Sequence, residues 1–280
     1  MSDRAAFVRE SMRRSWGGRT EAYARGAVRN NAPFAELLIE RVGLRPGRRV
    51  LDVATGPGLV ALLAARAVAP DGQVVATDLV SEWEPIVAAR AAEAGVDNVA
   101  FRVMSADALE LPDGSFDATL CQFGLMFVPE PLEALREMRR VLRPGGRLGL
   151  VVWSTAEKVG LFSATAAVLE PYVPRPPPGQ ELPGPLSLGA PGLIERLAAE
   201  AGFRQVASER RTFDYAGEEP HERWQSSVLE GPPALRDAIL ALPEEERRGV
   251  RERFVAALEA YRRDGQIRLP SEGIVLTANR

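Results

Sequence analysis

The chain has 280 residues, of which 46% are hydrophobic and 26% are charged, and its mean hydropathy is −0.11. These values are typical of a globular protein built from one large domain, or from an average core and a smaller cap. The net charge is only −3, with basic and acidic residues interleaved, which gives no sign of a nucleic-acid-binding surface. No apolar run approaches the roughly 20 residues of a membrane span, and the charged N-terminus lacks the apolar centre of a signal peptide. We therefore expect a cytoplasmic protein without a nucleic-acid partner or a membrane span.

The sequence contains one cysteine, Cys121, and one histidine, His221. A disulfide within the chain, a thiolate zinc cluster and a multi-histidine metal site are therefore excluded. No segment resembles a calcium-binding loop. We expect no metal site, and we expect Cys121 to be a small buried apolar residue.

The chain falls into three regions by its hydrophobic patterns. Residues 1–45 show the pattern of amphipathic helices. Residues 46–154 alternate short apolar runs with helical patterns, which indicates parallel βαβ units in a sheet with helices on both faces. Residues 155–280 combine further insertions with two late strands. The predicted strands of the middle region are Arg49–Val53, Gln73–Asp78, Val99–Met104, Phe116–Cys121 and Arg147–Ser154.

The last region begins with a change in composition. Eight prolines between 171 and 191 rule out a regular element there. A helix over 190–202 and a strand over 203–213 follow, and 218–264 read as largely helical, ending at two arginines, Arg262 and Arg263. A last strand is predicted over 273–277. The long connection before it is a natural place for a helical cap that sets specificity.

A glycine-rich turn carries the main functional signal. The residues LDVATGPG (51–58) end a buried strand, and a helical pattern, Leu59–Val68, follows at once. Glycines let a ligand approach the backbone closely, and ligands of open parallel sheets bind at the carboxyl ends of the strands. Asp78 ends the next strand, where a carboxylate can accept hydrogen bonds from both hydroxyls of a ribose. Asp107 follows the third strand and can accept from the exocyclic amine of an adenine.

These motifs, together with ADA at 106–108 and LRPGG at 142–146, resemble the motif series of class I S-adenosylmethionine-dependent methyltransferases. The subgroup of ubiquinone and menaquinone C-methyltransferases is the most similar, over about 46–154. The resemblance implies a Rossmann-like, seven-stranded, mostly parallel sheet whose last strand is antiparallel, with S-adenosylmethionine as cofactor. Many members carry a longer glycine series, GxGxG, where this chain has Gly56-Pro57-Gly58-Leu59-Val60.

The resemblance also implies which residues hold the cofactor. The glycine-rich loop lines the methionine portion, the acids after the next two strands hold the ribose and adenine, and one residue after the fourth strand touches the cofactor. Two aromatic residues of the N-terminal helices would close over it. The implied cofactor-binding residues are Trp16, Tyr23, Asp52, Ala54, Thr55, Gly56, Gly58, Asp78, Leu79, Ala106, Asp107, Ala108 and Gln122.

Two other functions remain open from the sequence. The fragment Gly56–Ala61 also fits the GxGxxA fingerprint of dinucleotide-binding folds, which would make the protein an NAD-dependent oxidoreductase. Against this, Asp52 lies where NAD folds usually keep an apolar residue, and the only lysine, Lys158, stands in no Tyr-x-x-x-Lys pattern. A non-catalytic S-adenosylmethionine-binding protein on the same fold is the second alternative.

We expect methyl transfer to a small-molecule acceptor that is partly apolar. The reaction needs alignment and exclusion of water more than a dedicated base, and His221 is the candidate base if the acceptor is an ordinary hydroxyl. A homodimer is compatible with the sequence. The apolar candidates for the acceptor pocket are Phe123, Met126, Phe127, Phe162, Tyr172 and Trp224.

Overall fold

The computed structural model describes residues 3–173, 181–231 and 233–280. Within them the chain groups into two compact units. The first comprises Met1–Ser154, Leu182–Arg211 and Gly273–Arg280, and the second comprises Thr155–Glu181 and Thr212–Glu272. The predicted irregular proline-rich segment falls partly on residues 174–180, which lie outside the described residues. The described prolines that follow lie in turns and irregular backbone up to the next helix.

The first unit is built on a mostly parallel sheet. Its strands are β1 (Arg49–Val53), β2 (Gln73–Asp78), β3 (Val99–Val103), β4 (Phe116–Gln122) and β5 (Leu142–Trp153), with parts of β6 (Arg204–Ala216) and β8 (Gln266–Asn279). The strand order is β3-β2-β1-β4-β5-β8-β6, and β8 runs antiparallel to β5 from Arg147↔Asn279 to Trp153↔Gly273. From β1 the chain first adds strands on one side of the sheet, β2 and β3, and then continues on the other side with β4 and β5. Such a switch point between β1 and β4 opens a crevice at the carboxyl ends of the strands.

The sheet has eight strands among the described residues, one more than the seven that the resemblance implies. β7 (Arg262–Arg263) pairs with the start of β8 and lies off the main strand path. Asp264 and Gly265, with φ of 49° and 76°, form the tight turn between them, which is the backbone conformation that a two-residue hairpin requires.

Helices cover the sheet of the first unit. They are α1 (Asp3–Gly17), α2 (Thr20–Val42), α3 (Leu59–Val68), α4 (Trp83–Glu93), α5 (Pro131–Val141) and α7 (Leu193–Glu200). The close packing of α2 on the sheet depends on a small residue in β5: a Cβ at Gly149 would lie 2.4 Å from Val42 and 2.9 Å from Leu38. Leu38, Leu51 and Leu120 are fully buried in this core. Since both faces of β1 and β2 are covered, their residues read as continuous apolar runs.

The second unit is mainly helical. It contains α6 (Gly160–Leu169), α8 (Pro220–Trp224), α9 (Pro233–Leu240) and α10 (Glu244–Glu259). Both α6 and α8 pack on α10, and Trp224 meets Phe254 edge to face with ring centroids 5.2 Å apart. Val250, Phe254 and Leu258 are buried on one face of α10, as their spacing predicts. None of the described helices combines the length and the apolar character needed to cross a membrane.

Candidate functional site

The glycine-rich turn after β1 has the backbone conformation of a ligand-binding loop. Ala54, Gly56 and Gly58 all have positive φ, at 53°, 51° and 79°. Such a loop favours glycine, and Ala54 at positive φ is unusual for a residue with a side chain. The Thr55 N–H donates to Thr77 O at 2.9 Å, which fixes the turn against the end of β2. A Cβ placed at Gly56 would meet no atom within 4 Å, so the space beside the turn is open.

Asp78 connects the end of β2 to this turn. Its carboxylate accepts hydrogen bonds from the Gly56 N–H at 2.9 Å and from the Val80 N–H at 3.1 Å. Its side chain lines the same cavity as the turn. Burial raises the pKa of Asp78 to about 6, although the hydrogen bonds from Gly56, Val80 and Leu79 act in the opposite direction. A carboxylate has about four acceptor positions, so these three backbone donors still leave room for a hydroxyl of a ligand.

A second carboxylate lies deeper in the site, at Asp52 on β1, and it is 1% exposed. It accepts a hydrogen bond from the Thr55 hydroxyl at 2.6 Å. Burial raises the pKa of Asp52 to about 7, and the neighbouring negative charge of Asp78 adds to the rise. Two carboxylates that face one cavity favour a ligand with hydroxyl groups or a positive charge.

These residues surround one cavity at the carboxyl ends of β1, β2 and β4. The space inside it is about 1020 Å³ when the open solvent at its mouth is included. Ten of the thirteen predicted cofactor-binding residues line it: Trp16, Tyr23, Asp52, Ala54, Thr55, Gly56, Asp78, Leu79, Ala106 and Gln122.

Three predicted residues lie outside the cavity lining: Gly58, Asp107 and Ala108. Gly58 faces α4, because a Cβ there would lie 3.1 Å from the Val87 side chain. Asp107 is paired within the chain, because its carboxylate forms an ion pair with Arg9 of α1.

The N-terminal helices supply an aromatic wall. Trp16 packs edge to face on Tyr23, at 5.0 Å between ring centroids, and on Phe127, at 5.3 Å. Tyr23 also contacts Trp83 of α4 at 6.1 Å. The Gln122 amide donates to Asn31 O at 2.8 Å, which ties the end of β4 to α2. The wall is therefore held on the sheet by both aromatic and polar contacts.

The sequence reasoning missed several lining residues. Arg9 and Met12 line the cavity together with Trp16, and their spacing of three and seven residues places them on one face of α1. That spacing is the signal that could have found them. The other lining residues without a predicted role are Val28, Asn31, Leu59, Val60, Val80, Trp83, Met104, Ser105, Val128 and Pro129.

The predicted acceptor-pocket residues are divided between the units. Phe123 and Phe127 line the cavity, whereas Met126 is 1% exposed and is not part of the lining. The others lie in the second unit, where Trp224 packs on Phe254: Phe162, Tyr172 and Trp224.

The single histidine and the single cysteine have different surroundings. His221 is exposed on α8 of the second unit. Cys121 is 1% exposed, as predicted, and burial raises the pKa of its thiol to about 12. Among the described residues, no group of three or more His, Cys, Asp or Glu side chains is arranged to hold a metal ion.

The sheet order, the glycine-rich turn and the two carboxylates define a Rossmann-like nucleotide-binding core. The profile of a family described as "Methyltransferase domain" matches residues 51–150. The resemblance to class I S-adenosylmethionine-dependent methyltransferases is confirmed over this segment, and S-adenosylmethionine is the cofactor of such domains.

Part of the chain is also similar in sequence to curated proteins. An uncharacterised protein of Mycobacterium bovis is 38% identical over 161 residues, which cover 58% of this chain and 56% of that protein. A ubiquinone/menaquinone biosynthesis C-methyltransferase of Hahella chejuensis is 41% identical over 117 residues, 41% of this chain and 47% of that enzyme. The matched part therefore spans about half the length of these curated relatives.

A solved structure extends the likeness in fold. The YcgJ protein of Bacillus subtilis superposes with a TM-score of 0.57 at 21% identity, covering 88% of this chain and 97% of that one. At this identity the likeness shows the fold alone.

Proposed function

We propose that this chain is an enzyme that transfers a methyl group from S-adenosylmethionine to a small, largely apolar acceptor. The observation that carries the proposal is the buried Asp78 carboxylate. It is held by the glycine-rich turn through the Gly56 N–H and faces the cavity within the segment that matches the methyltransferase domain.

The residues of the cavity fit this cofactor. Its ribose offers hydroxyl donors, for which Asp78 has free lone pairs. Its sulfonium and amino groups are cationic, and Asp52 and Asp78 are the two carboxylates that line the cavity. The open space beside Gly56 allows a ligand to contact the backbone of the turn.

When bound, S-adenosylmethionine supplies an electrophilic methyl group attached to its sulfonium sulfur. The chain then has to hold the acceptor in line and keep water out. The wall formed by Trp16, Tyr23 and Phe127 is suited to exclude water. The rate of displacement at a methyl carbon increases mainly through this alignment of the reactants and exclusion of water.

Apart from Asp52 and Asp78, which the proposal assigns to the cofactor, the lining offers little acid–base chemistry. No His, Lys or Cys is among the lining residues that the structure describes. Tyr23 is titratable, but burial raises the pKa of its phenol, so it remains protonated near neutral pH and does not act as a base. The acceptor should therefore carry its own strong nucleophile or an acidic proton, and the role of His221 as a base stays a prediction.

The charge of the lining favours an uncharged acceptor. The charged lining residues are Arg9, Asp52 and Asp78, and Arg9 is paired with Asp107. The wall outside the cofactor loops is apolar, with Met12, Val28 and Val128 among its members. An anionic acceptor would find no unpaired cation among the described lining residues.

Product formation from matched acceptors tests the proposal. Purified protein is incubated with methyl-labelled S-adenosylmethionine and three acceptor sets that share one ring: a neutral phenol, its carboxylated analogue and an amine. We expect label in the neutral acceptors and at least about tenfold less in the carboxylated ones, the ratio expected for about 1.4 kcal/mol. Preference for the carboxylated set would refute the acceptor class. Binding of S-adenosylhomocysteine without transfer to any set would indicate a non-catalytic binding protein.

A further inference from the structure

The Arg9–Asp107 pair joins α1 to the loop after β3. Arg9 Nε donates to Asp107 Oδ1 at 3.0 Å and Arg9 Nη2 donates to Oδ2 at 2.9 Å. The two side chains are 13% and 1% exposed. Two-point pairing of a guanidinium with a carboxylate is short, strong and directional, and at this burial solvent screens it little. The Ser105 hydroxyl donates a third hydrogen bond to Oδ1, at 2.5 Å.

The loop that carries Asp107 is fixed from its other side. The Ala108 N–H donates to Ser105 O at 3.1 Å. Glu137 and Arg140 of α5 then hold the next residue, Leu109: Glu137 Oε2 accepts from its N–H at 2.9 Å, and Arg140 Nη2 donates to its carbonyl at 2.8 Å. The carboxylate is therefore a rigid attachment point for α1.

The face of α1 that carries Arg9 also forms part of the cavity wall. Met12 and Trp16 follow Arg9 by three and seven residues, and all three side chains line the cavity. A bond that fixes Arg9 consequently fixes Met12 and Trp16. Asp107 itself does not line the cavity.

We propose that Arg9 and Asp107 form a latch that positions α1 as a wall of the ligand cavity, and that Asp107 acts on the ligand through Arg9 instead of by contacting an adenine amine. Both are positioning residues in this role. The effect on ligand binding rests on the proposed function, whereas the anchoring of α1 does not.

The two roles of Asp107 predict different behaviour. If the Asp107 carboxylate accepts a hydrogen bond from the adenine amine, removal of the carboxylate weakens binding only of the ligand that carries this amine. Removal of Arg9 then leaves ligand binding unchanged or improves it. If the pair is a latch, removal of either member releases α1 and weakens every ligand of the cavity to the same degree.

Hydrogen exchange of the free protein tests the anchoring without any ligand. Amide exchange is measured in α1 for the wild type, Arg9→Ala, Asp107→Ala and the double variant. Arg13→Ala is the matched control, because Arg13 lies on the same helix and pairs with Glu10 at the surface. We expect amide exchange in α1 to become about tenfold faster or more in each single variant than in the wild type. We expect exchange in the double variant to be no faster than in either single variant. Wild-type exchange rates in either single variant would overturn the latch.

Calorimetry with two ligands tests the consequence for binding. S-adenosylhomocysteine is compared with S-inosylhomocysteine, in which a carbonyl oxygen replaces the amine. We expect Arg9→Ala and Asp107→Ala each to weaken both ligands by about tenfold to a hundredfold, as for other broken charge pairs, and the preference for one ligand over the other to stay as in the wild type. Loss of that preference in Asp107→Ala alone would overturn the latch. If the wild type binds neither ligand, the proposed cofactor is wrong, and the exchange result alone decides the latch.

Discussion

The buried carboxylate of Asp52 should make the stability of this protein fall as pH rises. Burial raises the pKa of Asp52 from 3.8 to about 7. Between pH 5 and pH 7 the native protein therefore holds one proton more at this site than the unfolded chain does. The free energy of unfolding consequently falls by about 1.4 kcal/mol per pH unit, or about 3 kcal/mol across this window, and stays low above it.

Asp52→Asn removes this titration and keeps the size of the side chain. The constant effects of the amide cancel when the variant is compared with the wild type at two pH values. We expect the difference in free energy of unfolding, variant minus wild type, to grow by about 3 kcal/mol from pH 5 to pH 8.

Urea denaturation at both pH values measures this difference. Asp113→Asn is the control, because the Asp113 side chain is 75% exposed and its substitution should leave the pH dependence unchanged. If the stability curves of Asp52→Asn and the wild type run parallel from pH 5 to pH 8, the carboxylate is ionised throughout and the reasoning from burial is wrong.

Three further predictions concern other parts of the molecule. Thr119→Val should raise the free energy of unfolding by about 1 kcal/mol in urea denaturation, because the Thr119 hydroxyl is buried without a hydrogen-bond partner among the described residues; a loss of stability would show that the hydroxyl is satisfied. Gly124→Ala should lower it by about 1–3 kcal/mol, since the added Cβ would lie 2.4 Å from the Ala54 Cβ. Gly26→Ala, where a Cβ meets no atom within 4 Å, is its control, and equal stability of both variants would contradict the account. His221→Ala should leave the calorimetric affinity for S-adenosylhomocysteine unchanged and lower turnover by about a hundredfold if His221 is the base; undiminished turnover would remove that role.

The core of the first unit could be predicted because its signals are local. The helix predicted over Leu59–Val68 has those bounds in the structure, since an uninterrupted Ala/Leu pattern follows the glycine turn directly. The strands β1 and β2 are likewise as predicted, because buried parallel strands read as continuous apolar runs.

The second unit was harder to predict from pattern alone. Residues 218–264 read as largely helical, but α10 ends at Glu259, and the two arginines expected at its end form β7. The Asp264–Gly265 pair, a typical turn of two-residue hairpins, was the missed signal. The charges near the helix end favoured the helix, and the turn residues decided the outcome.

The wall of the cavity formed by α1 could be predicted only in part. Trp16 was expected from the resemblance, whereas Arg9 was not, although its spacing places it on the same face. The partner of Arg9 lies 98 residues further along the chain, and no local pattern indicates which of several acids an arginine of α1 will meet. Tertiary pairing of this kind requires the structure.

Calorimetric titration of the purified protein with S-adenosylhomocysteine and, separately, with NADH tests the central claim most directly. We predict micromolar binding of S-adenosylhomocysteine alone, and at least about tenfold weaker binding in Asp78→Ala, because the ribose loses a buried carboxylate. Binding of NADH alone would contradict the account and return the Gly56–Ala61 turn to a dinucleotide-binding role.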